Sequence, residues 1–140
     1  MSVNDAPQLG ADQTGSLAGF QKTVQYDIYP ERRLVMVRFG AKVNAHDIAR
    51  YANQLRMSRE FQPTFSEIVD LRQVEKLELR AEDFLELADQ IDPFSVDAKR
   101  AFVVRTSVQN HAARLHKILH RQRHFEIFRS MEDAEEWAGN

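Results

Sequence analysis

The run AFVVR at residues 101–105, followed directly by TSVQNHAARLHKIL at residues 106–119, determines the fold class. The first run is apolar and rich in β-branched and aromatic side chains, which is typical of a buried strand. Thr106 or Ser107 can cap a helix that begins there. The residues predicted to face inward on that helix are Val108, Ala112, Leu115 and Leu119. A buried strand that leads straight into an amphipathic helix is the repeating unit of an α/β protein.

Upstream, the sequence predicts a β-hairpin. Apolar and polar residues alternate from Val24 to Tyr29, which is the period of a half-buried strand. The turn residues 30–33 follow, and residues 34–39 form a second apolar run that Gly40 ends. Asn44 and Asp47 then have the spacing of a helix N-terminal cap. The apolar face of this first helix comprises Ile48, Tyr51, Ala52 and Leu55.

Three further segments complete the pattern. Residues 67–71 predict a short buried strand and residues 125–128 a final one. Between them lies a second helix, ended by Pro93, whose apolar positions are Phe84, Leu87, Ala88 and Ile91. Its predicted acidic outer face comprises Glu82, Asp83, Glu86 and Asp89. Ser130 and Asp133 start a short last helix, with Ala134, Trp137 and Ala138 packed inward.

The resulting order is β-β-α-β-α-β-α-β-α, which predicts an α/β fold with a mixed, mostly parallel five-stranded sheet covered by helices. Residues 22–140 are predicted to form one domain. Residues 1–21 are small and polar, without apolar periodicity, and predict a flexible N-terminal tail.

Composition excludes several classes of chemistry. The chain has no cysteine, so disulfides, thiolate catalysis and thiolate–metal sites are excluded. No stretch resembles a signal peptide or a membrane span, and we expect a cytoplasmic protein. The sequence shows no glycine-rich phosphate loop, serine elbow or metalloprotease helix, so the expected function is non-enzymatic.

Charge is divided between two blocks of the chain. Residues 75–97 carry eight acidic and two basic side chains, whereas residues 99–129 carry eight basic and one acidic. The opposed faces could pair between subunits of a homodimer. Nucleic acid is not the expected partner, because no aromatic residue is interleaved with the charges from Val108 to Gln122.

The spacing of the histidines suggests a metal site, but the residues around them argue against one. His116, His120 and His124 are four residues apart, and His111 lies upstream. Histidines one helical turn apart can share a metal ion. However, a helical wheel turns them towards solvent, no acidic residue lies between Lys99 and Arg123, and nearby cations would repel a metal. We therefore expect a solvated helix face, with neither a metal nor a cofactor.

The candidate binding residues lie where the third and fourth strands end. Asp70 and Arg72 follow the third strand, and Arg105, Thr106 and Ser107 follow the fourth, at the edge where α/β sheets bind ligands. These side chains can also be explained without a ligand, since Asp70 can pair with Arg72 and Thr106 or Ser107 can cap the helix. A second set of residues can line a pocket for an apolar ligand or simply fill the core. This set comprises Phe61, Phe65, Phe94 and Phe102.

Together these segments resemble the SpoIIAA-like family, which is related in fold to STAS domains. The resemblance runs from Tyr26 to Trp137, about four-fifths of the chain, through the hairpin with Gly40, the IVDLR strand exit and the closing FRSMEDA. It implies a five-stranded sheet with packed helices. In the anti-sigma-factor antagonists of that group, a serine after the third strand is phosphorylated. The matching residues here, 73–80, contain no Ser or Thr.

The sequence therefore predicts a SpoIIAA-like module without that phosphorylation switch. The leading hypothesis is a regulatory module that binds a protein or small ligand through Asp70, Arg72, Arg105, Thr106 and Ser107. The alternative is a carrier or sensor of a small apolar or amphipathic molecule, held in a cavity beneath the helices.

Overall fold

The computed structural model describes residues 24–87 and 92–139. The predicted tail, residues 1–21, lies outside the described residues, as do Ala88, Asp89 and Ile91 of the predicted second helix. The strands are β1 (Val24–Tyr29), β2 (Leu34–Phe39), β3 (Lys42–Asn44), β4 (Ser66–Asp70), β5 (Lys76–Glu78), β6 (Lys99–Val103) and β7 (His124–Phe128). The helices are α1 (Ala45–Met57), α2 (Ala81–Glu86), α3 (Ser107–His120) and α4 (Met131–Ala138).

The main sheet has the predicted mixed, mostly parallel arrangement. Its five strands lie in the order β1-β2-β4-β6-β7, with β1 antiparallel to β2 and the remaining pairs parallel. A 3-10 turn at Pro30–Arg32 joins the first two strands, and Arg33 closes it in the left-handed conformation with φ 51°. The predicted α/β fold class is therefore confirmed.

Two short strands were not predicted. β3 and β5 pair in parallel to form a separate two-stranded sheet. β3 directly precedes the Asn44 cap of α1, where Asn44 Oδ1 accepts a hydrogen bond from the backbone N–H of Asp47, as predicted. β5 lies within residues 73–80, the segment that matches the serine-bearing loop of the anti-sigma-factor antagonists.

Side chains of the sheet alternate between two apolar layers. On one face, α4 packs through Ala134 and Ala138 against Leu34, Ile68 and Ala101. On the other face, α1 and α3 cover a larger core that includes Val37, Val69 and Phe102. This second layer contains a cavity. None of the described helices is long and apolar enough to span a membrane.

Helix α3 is rotated relative to the prediction. Val108, predicted to face inward, is 65% exposed, and Leu115 and Leu119 are only partly buried. Gln109 and Ala113 are the residues buried most deeply. The cause is the capping arrangement, in which the Gln109 side chain turns inward to bond the backbone that precedes the helix. The predicted inward positions were therefore wrong for Val108.

Candidate functional site

Asp70, at the end of β4, is a buried carboxylate that is paired with arginines. Arg72 donates from Nε to Oδ1 and from Nη2 to Oδ2, each at 3.0 Å, and its backbone N–H also donates to Oδ1. Arg38 Nε lies 3.5 Å from Oδ2. Burial alone would raise the pKa of Asp70, but the hydrogen bonds and charge of Arg72, with the charge of Arg38, hold that pKa below its usual range. Asp70 is thus a stable anion.

The predicted strand-exit residues divide into two groups. Asp70, Arg72 and Arg105 line an open groove of about 620 Å³, whose other lining residues are Arg38, Ala41, Gln73 and Glu75. Arg105 donates from Nη2 to the carbonyl oxygen of Arg72 at 2.8 Å, which ties the two strand exits together. Thr106 and Ser107 lie instead at the start of α3. Thr106 is the N-terminal cap and accepts from the backbone N–H of Gln109 at 3.2 Å.

A second group of polar residues, of which only His120 was a candidate from the sequence, lies buried between the sheet and the helices. Tyr51 Oη donates to Glu67 Oε2 at 2.6 Å, and Arg100 Nε donates to Glu67 Oε1 at 2.7 Å. Arg100 Nη1 donates to Asp92 Oδ2 at 3.1 Å, and His120 Nδ1 contacts the same oxygen at 2.5 Å. We call Tyr51, Glu67, Arg100, Asp92 and His120 the buried polar chain.

Burial and the neighbouring charges together set the ionisation states of the buried polar chain. Burial and the charge of Glu67 raise the pKa of Tyr51 well above its usual value, so its hydroxyl stays protonated. Burial acts to lower the pKa of Arg100, but the charges of Glu67 and Asp92 outweigh it and raise that pKa. Burial acts to raise the pKa of Asp92, yet the charge of Arg100 and the hydrogen bond to His120 lower it. Arg100 therefore remains a cation and Asp92 an anion.

His116 lies beside the buried polar chain, one helical turn before His120. The two imidazole rings are stacked, with centroids 3.7 Å apart and planes inclined by 14°. Nδ1 of His116 is buried and has no hydrogen-bond partner among residues 24–87 and 92–139. Burial, followed by the charges of His120 and Arg100, lowers the pKa of His116 well below its usual value. His116 is therefore a neutral imidazole with a ring nitrogen available to a ligand.

The buried polar chain and His116 form one end of a cavity of about 110 Å³. Its remaining walls are almost entirely apolar and come from α1, α3, the central strands and the segment around Pro93. These apolar lining residues are Phe39, Val43, Ile48, Ala52, Val69, Leu71, Leu77, Leu79, Leu87, Pro93, Phe94, Phe102 and Ala112. Of the four phenylalanines predicted to line a pocket or fill the core, Phe94 and Phe102 line this cavity. Phe61 packs edge-on against Phe65 and Phe94.

Two assumptions behind the predicted histidine face were wrong. His116 and His120 turn into the domain, because the capping at Gln109 rotates α3 and places Ala113, His116 and His120 in one inward stripe. Their acidic neighbour is Asp92, which lies upstream of the segment between Lys99 and Arg123 that contains no acidic residue. The basic residues on and just after this helix have exposed side chains. They are Arg114, Lys117 and Arg121.

One sequence signal could have revealed the charged pair Glu67 and Arg100 at the centre of the buried polar chain. In β4 and β6, every second residue faces the same layer. Glu67 therefore shares a face with Val69, and Arg100 shares one with Phe102. A charged residue on the buried face of a strand requires a partner, and two of opposite sign on neighbouring strands indicate a pair.

Comparison with known proteins supports the architecture. No protein-family model and no curated protein matches this chain. Among solved structures, the chain is similar to an uncharacterised DUF3478-family protein with a SpoIIAA-like fold from Shewanella loihica PV-4, with a TM-score of 0.60 and 17% sequence identity. The match covers 88% of this chain and 99% of that chain. The predicted resemblance is thus confirmed for the fold, and this chain has a SpoIIAA-like fold.

Proposed function

We propose that this protein binds a small amphipathic molecule in the cavity beneath α1 and α3, as a carrier or sensor. The observation that supports this function is the cavity itself, which has apolar walls and one polar end. This is the usual construction of a small-molecule site, in which apolar walls supply affinity and a few convergent polar groups fix orientation. A chain with this cavity and no recognised catalytic motif is best described as a binding module.

The cavity volume limits the size of the ligand. Its volume of about 110 Å³ is of the same order as the roughly 150 Å³ apolar cavity that accepts benzene in another protein. The ligand is therefore a single small ring or a short branched chain with one polar group. A long acyl chain does not fit this volume.

The charges at the polar end limit the chemistry of the ligand. Glu67 and Asp92 are two carboxylates, whereas Arg100 is one guanidinium and already donates to both. A carboxylate or phosphate group would enter a region that has no unpaired cation to receive it. Desolvating an unpaired anion is costly, so the polar group of the ligand is not an anion and is instead a hydroxyl, an amide or an amine.

Benzyl alcohol is a suitable probe, with benzoate as its anionic control. We expect benzyl alcohol to cause saturable NMR shifts of amides around the cavity, and benzoate to bind at least ~10-fold more weakly because its carboxylate is not compensated. Ala112 lines the cavity, so Ala112→Leu fills it and should abolish the shifts. Ala81→Leu adds the same side chain at an exposed position and serves as the matched control. Unchanged binding by Ala112→Leu would contradict the proposal.

Native mass spectrometry of freshly purified full-length protein provides an independent test. A copurifying mass of the size of a small ring compound, present in the wild type and Ala81→Leu but absent from Ala112→Leu, would support a carrier. Equal amounts in all three proteins would place the bound compound outside the cavity.

The groove at the strand exits supports a second candidate, regulation through a protein partner in the cytoplasm. Arg38, Arg72 and Arg105 line the groove with only two carboxylates, Asp70 and Glu75, so it favours an acidic partner segment. Alanine at Arg72 and Arg105 should then reduce partner binding. If every partner that copurifies with the wild type also binds this variant unchanged, the groove is not the site.

A further inference from the structure

We propose that Asp92, His116 and His120 form a binding site for one divalent transition-metal ion, preferably zinc, at the polar end of the cavity. The site goes beyond the proposed function, since it can be loaded and measured without an organic ligand. It rests on the arrangement of three donor side chains from two separate parts of the chain.

The geometry of the donors is close to that of a metal site. One ligand atom from each of Asp92, His116 and His120 lies within 4.8 Å of the other two. In a tetrahedral zinc site with bonds of about 2.0–2.1 Å, neighbouring ligand atoms are about 3.4 Å apart. The donor atoms therefore have to move closer together, and the two stacked imidazole rings have to rotate so that both point at one ion. The two histidines lie one helical turn apart on α3, a spacing that lets both side chains reach the same ion.

His116 supplies an independent sign of a missing ligand. Its Nδ1 is buried without a hydrogen-bond partner in the described ranges 24–87 and 92–139. Buried polar atoms are rarely left unpaired, and each such atom needs an explanation. Metal coordination provides one, because an imidazole nitrogen binds a metal ion through its lone pair.

The charges around the donors also favour a cation. Arg100 contacts Asp92 and would oppose a metal if it acted alone. However, Glu67 lies 2.7 Å from Arg100 Nε and offsets this positive charge, which leaves the charge of Asp92 for the ion. Arg100 then acts as an outer partner that orients the Asp92 carboxylate, as such partners do in metalloproteins.

The cavity provides the remaining coordination position. Asp92, His116 and His120 all belong to its lining, so an ion held by them faces the cavity. Three protein ligands with one open position are characteristic of zinc sites that bind a water molecule or another small ligand. A hydroxyl or an unprotonated amine of the organic ligand is a suitable donor for that position. The same set of two histidines and one carboxylate also serves Fe²⁺.

Calorimetric titration of tag-free, metal-free, full-length protein with zinc chloride tests the site. We expect one saturable ion per chain. His116→Ala and His120→Ala should each weaken binding by at least ~100-fold, since loss of even an outer partner costs roughly 10–100-fold. His111 and His124 are exposed, so His111→Ala and His124→Ala are matched controls that should bind as the wild type does.

Cobalt substitution of the wild type keeps the test valid if a histidine variant fails to fold. A tetrahedral cobalt site gives intense visible absorption, which zinc should displace and Asp92→Asn should abolish. Absence of saturable zinc heat, or loss of binding in His111→Ala, would overturn the proposal. A parallel titration with Fe²⁺ under argon separates the two metals: tighter binding of Fe²⁺ would overturn the assignment to zinc.

Discussion

Glu67 and Arg100 are direct partners in the parallel pairing of β4 with β6, and both side chains are only 3% exposed. A buried ion pair adds little net stability, because desolvation of both charges offsets their attraction. Removing one member has a large effect, because the other charge is left buried and unpaired. We therefore expect this pair, through the hydrogen bond from Tyr51, to specify how the two strands and α1 come together more than it stabilises the domain.

Arg100→Met should lower the free energy of unfolding by about 3–5 kcal/mol, since Glu67 and Asp92 both lose their cation. The double variant Glu67→Leu/Arg100→Met should be less destabilised than Arg100→Met alone, because one of the two unpaired charges is removed with its partner. Urea denaturation followed by circular dichroism measures both. A loss below about 0.5 kcal/mol in the single variant, typical of a surface change, would show that the pair is not buried in solution.

Asp70→Asn should lower the free energy of unfolding by about 1.5 kcal/mol at neutral pH. This is the lower end for hydrogen bonds to charged groups, as the Arg72 side chain is 37% exposed. The pKa of Asp70 is lowered in the folded state, so its contribution is fully present above the unfolded pKa of about 3.9. It is lost as the pH falls through the folded value.

Denaturation of both proteins between neutral and strongly acidic pH checks this dependence. The difference between wild type and Asp70→Asn should shrink below about pH 3.9. A difference that stays constant across the range would mean that the ionised carboxylate is not the source of the stability.

Helix α3 is attached to the sheet through its first turn. Gln109 Oε1 accepts from the backbone N–H groups of Arg105 and Thr106, at 2.7 and 3.2 Å. Gln109 Nε2 donates to the carbonyl oxygen of Val74 at 2.7 Å. One side chain thus caps the helix, joins it to the loop after β4 and sets the rotation that turns His116 and His120 inward.

Gln109→Ala should therefore be more destabilising than Thr106→Ala. Loss of the Thr106 cap alone costs about 1 kcal/mol. Gln109→Ala removes the acceptor for the N–H groups of Arg105 and Thr106 and also leaves the buried Val74 carbonyl unpaired. The total loss in the free energy of unfolding should therefore be about 2–3 kcal/mol. Gln109→Glu is the informative third variant, as it retains the acceptor but loses the donor to Val74. Equal losses for Thr106→Ala and Gln109→Ala, measured by urea denaturation, would contradict the dual role.

Across the whole molecule, the sheet separates two apolar layers with different roles. The layer under α1 and α3 contains the cavity, whereas the fully buried side chains of the layer under α4 are small or aliphatic, with aromatic side chains packed against them. Trp137 belongs to the second layer, where its ring lies 5.8 Å from that of Phe128. The single tryptophan is therefore on the opposite side of the sheet from the candidate site.

Trp137 fluorescence should accordingly report unfolding and not binding. We expect no change in its emission on saturation with benzyl alcohol or zinc, but a full change on urea denaturation that coincides with the loss of circular dichroism. A binding-induced shift would indicate that the two layers are coupled through the sheet. Non-coincident unfolding curves would show that α4 unfolds separately.

The sequence by itself determined the order along the chain of the main-sheet strands and the helices, determined the helix cap at Asn44, and limited the cap of α3 to Thr106 or Ser107. The physical reason is that these features depend on contacts within a few residues, such as apolar periodicity and the bond from an N-cap side chain to a backbone N–H three residues later. Asp70 with Arg72 belongs to the same category, since the two residues are separated by a single position.

Only the tertiary structure decided the composition of the cavity. Tyr51, Glu67, Asp92, Arg100 and His116 come from a helix, two strands, a loop and a second helix, and no local pattern links them. They meet because parallel pairing sets β4 beside β6 with Glu67 opposite Arg100, and because Gln109 fixes the rotation of α3. Strand register and helix rotation follow from packing of the whole domain. The residues that line the cavity could therefore be identified only from the assembled structure.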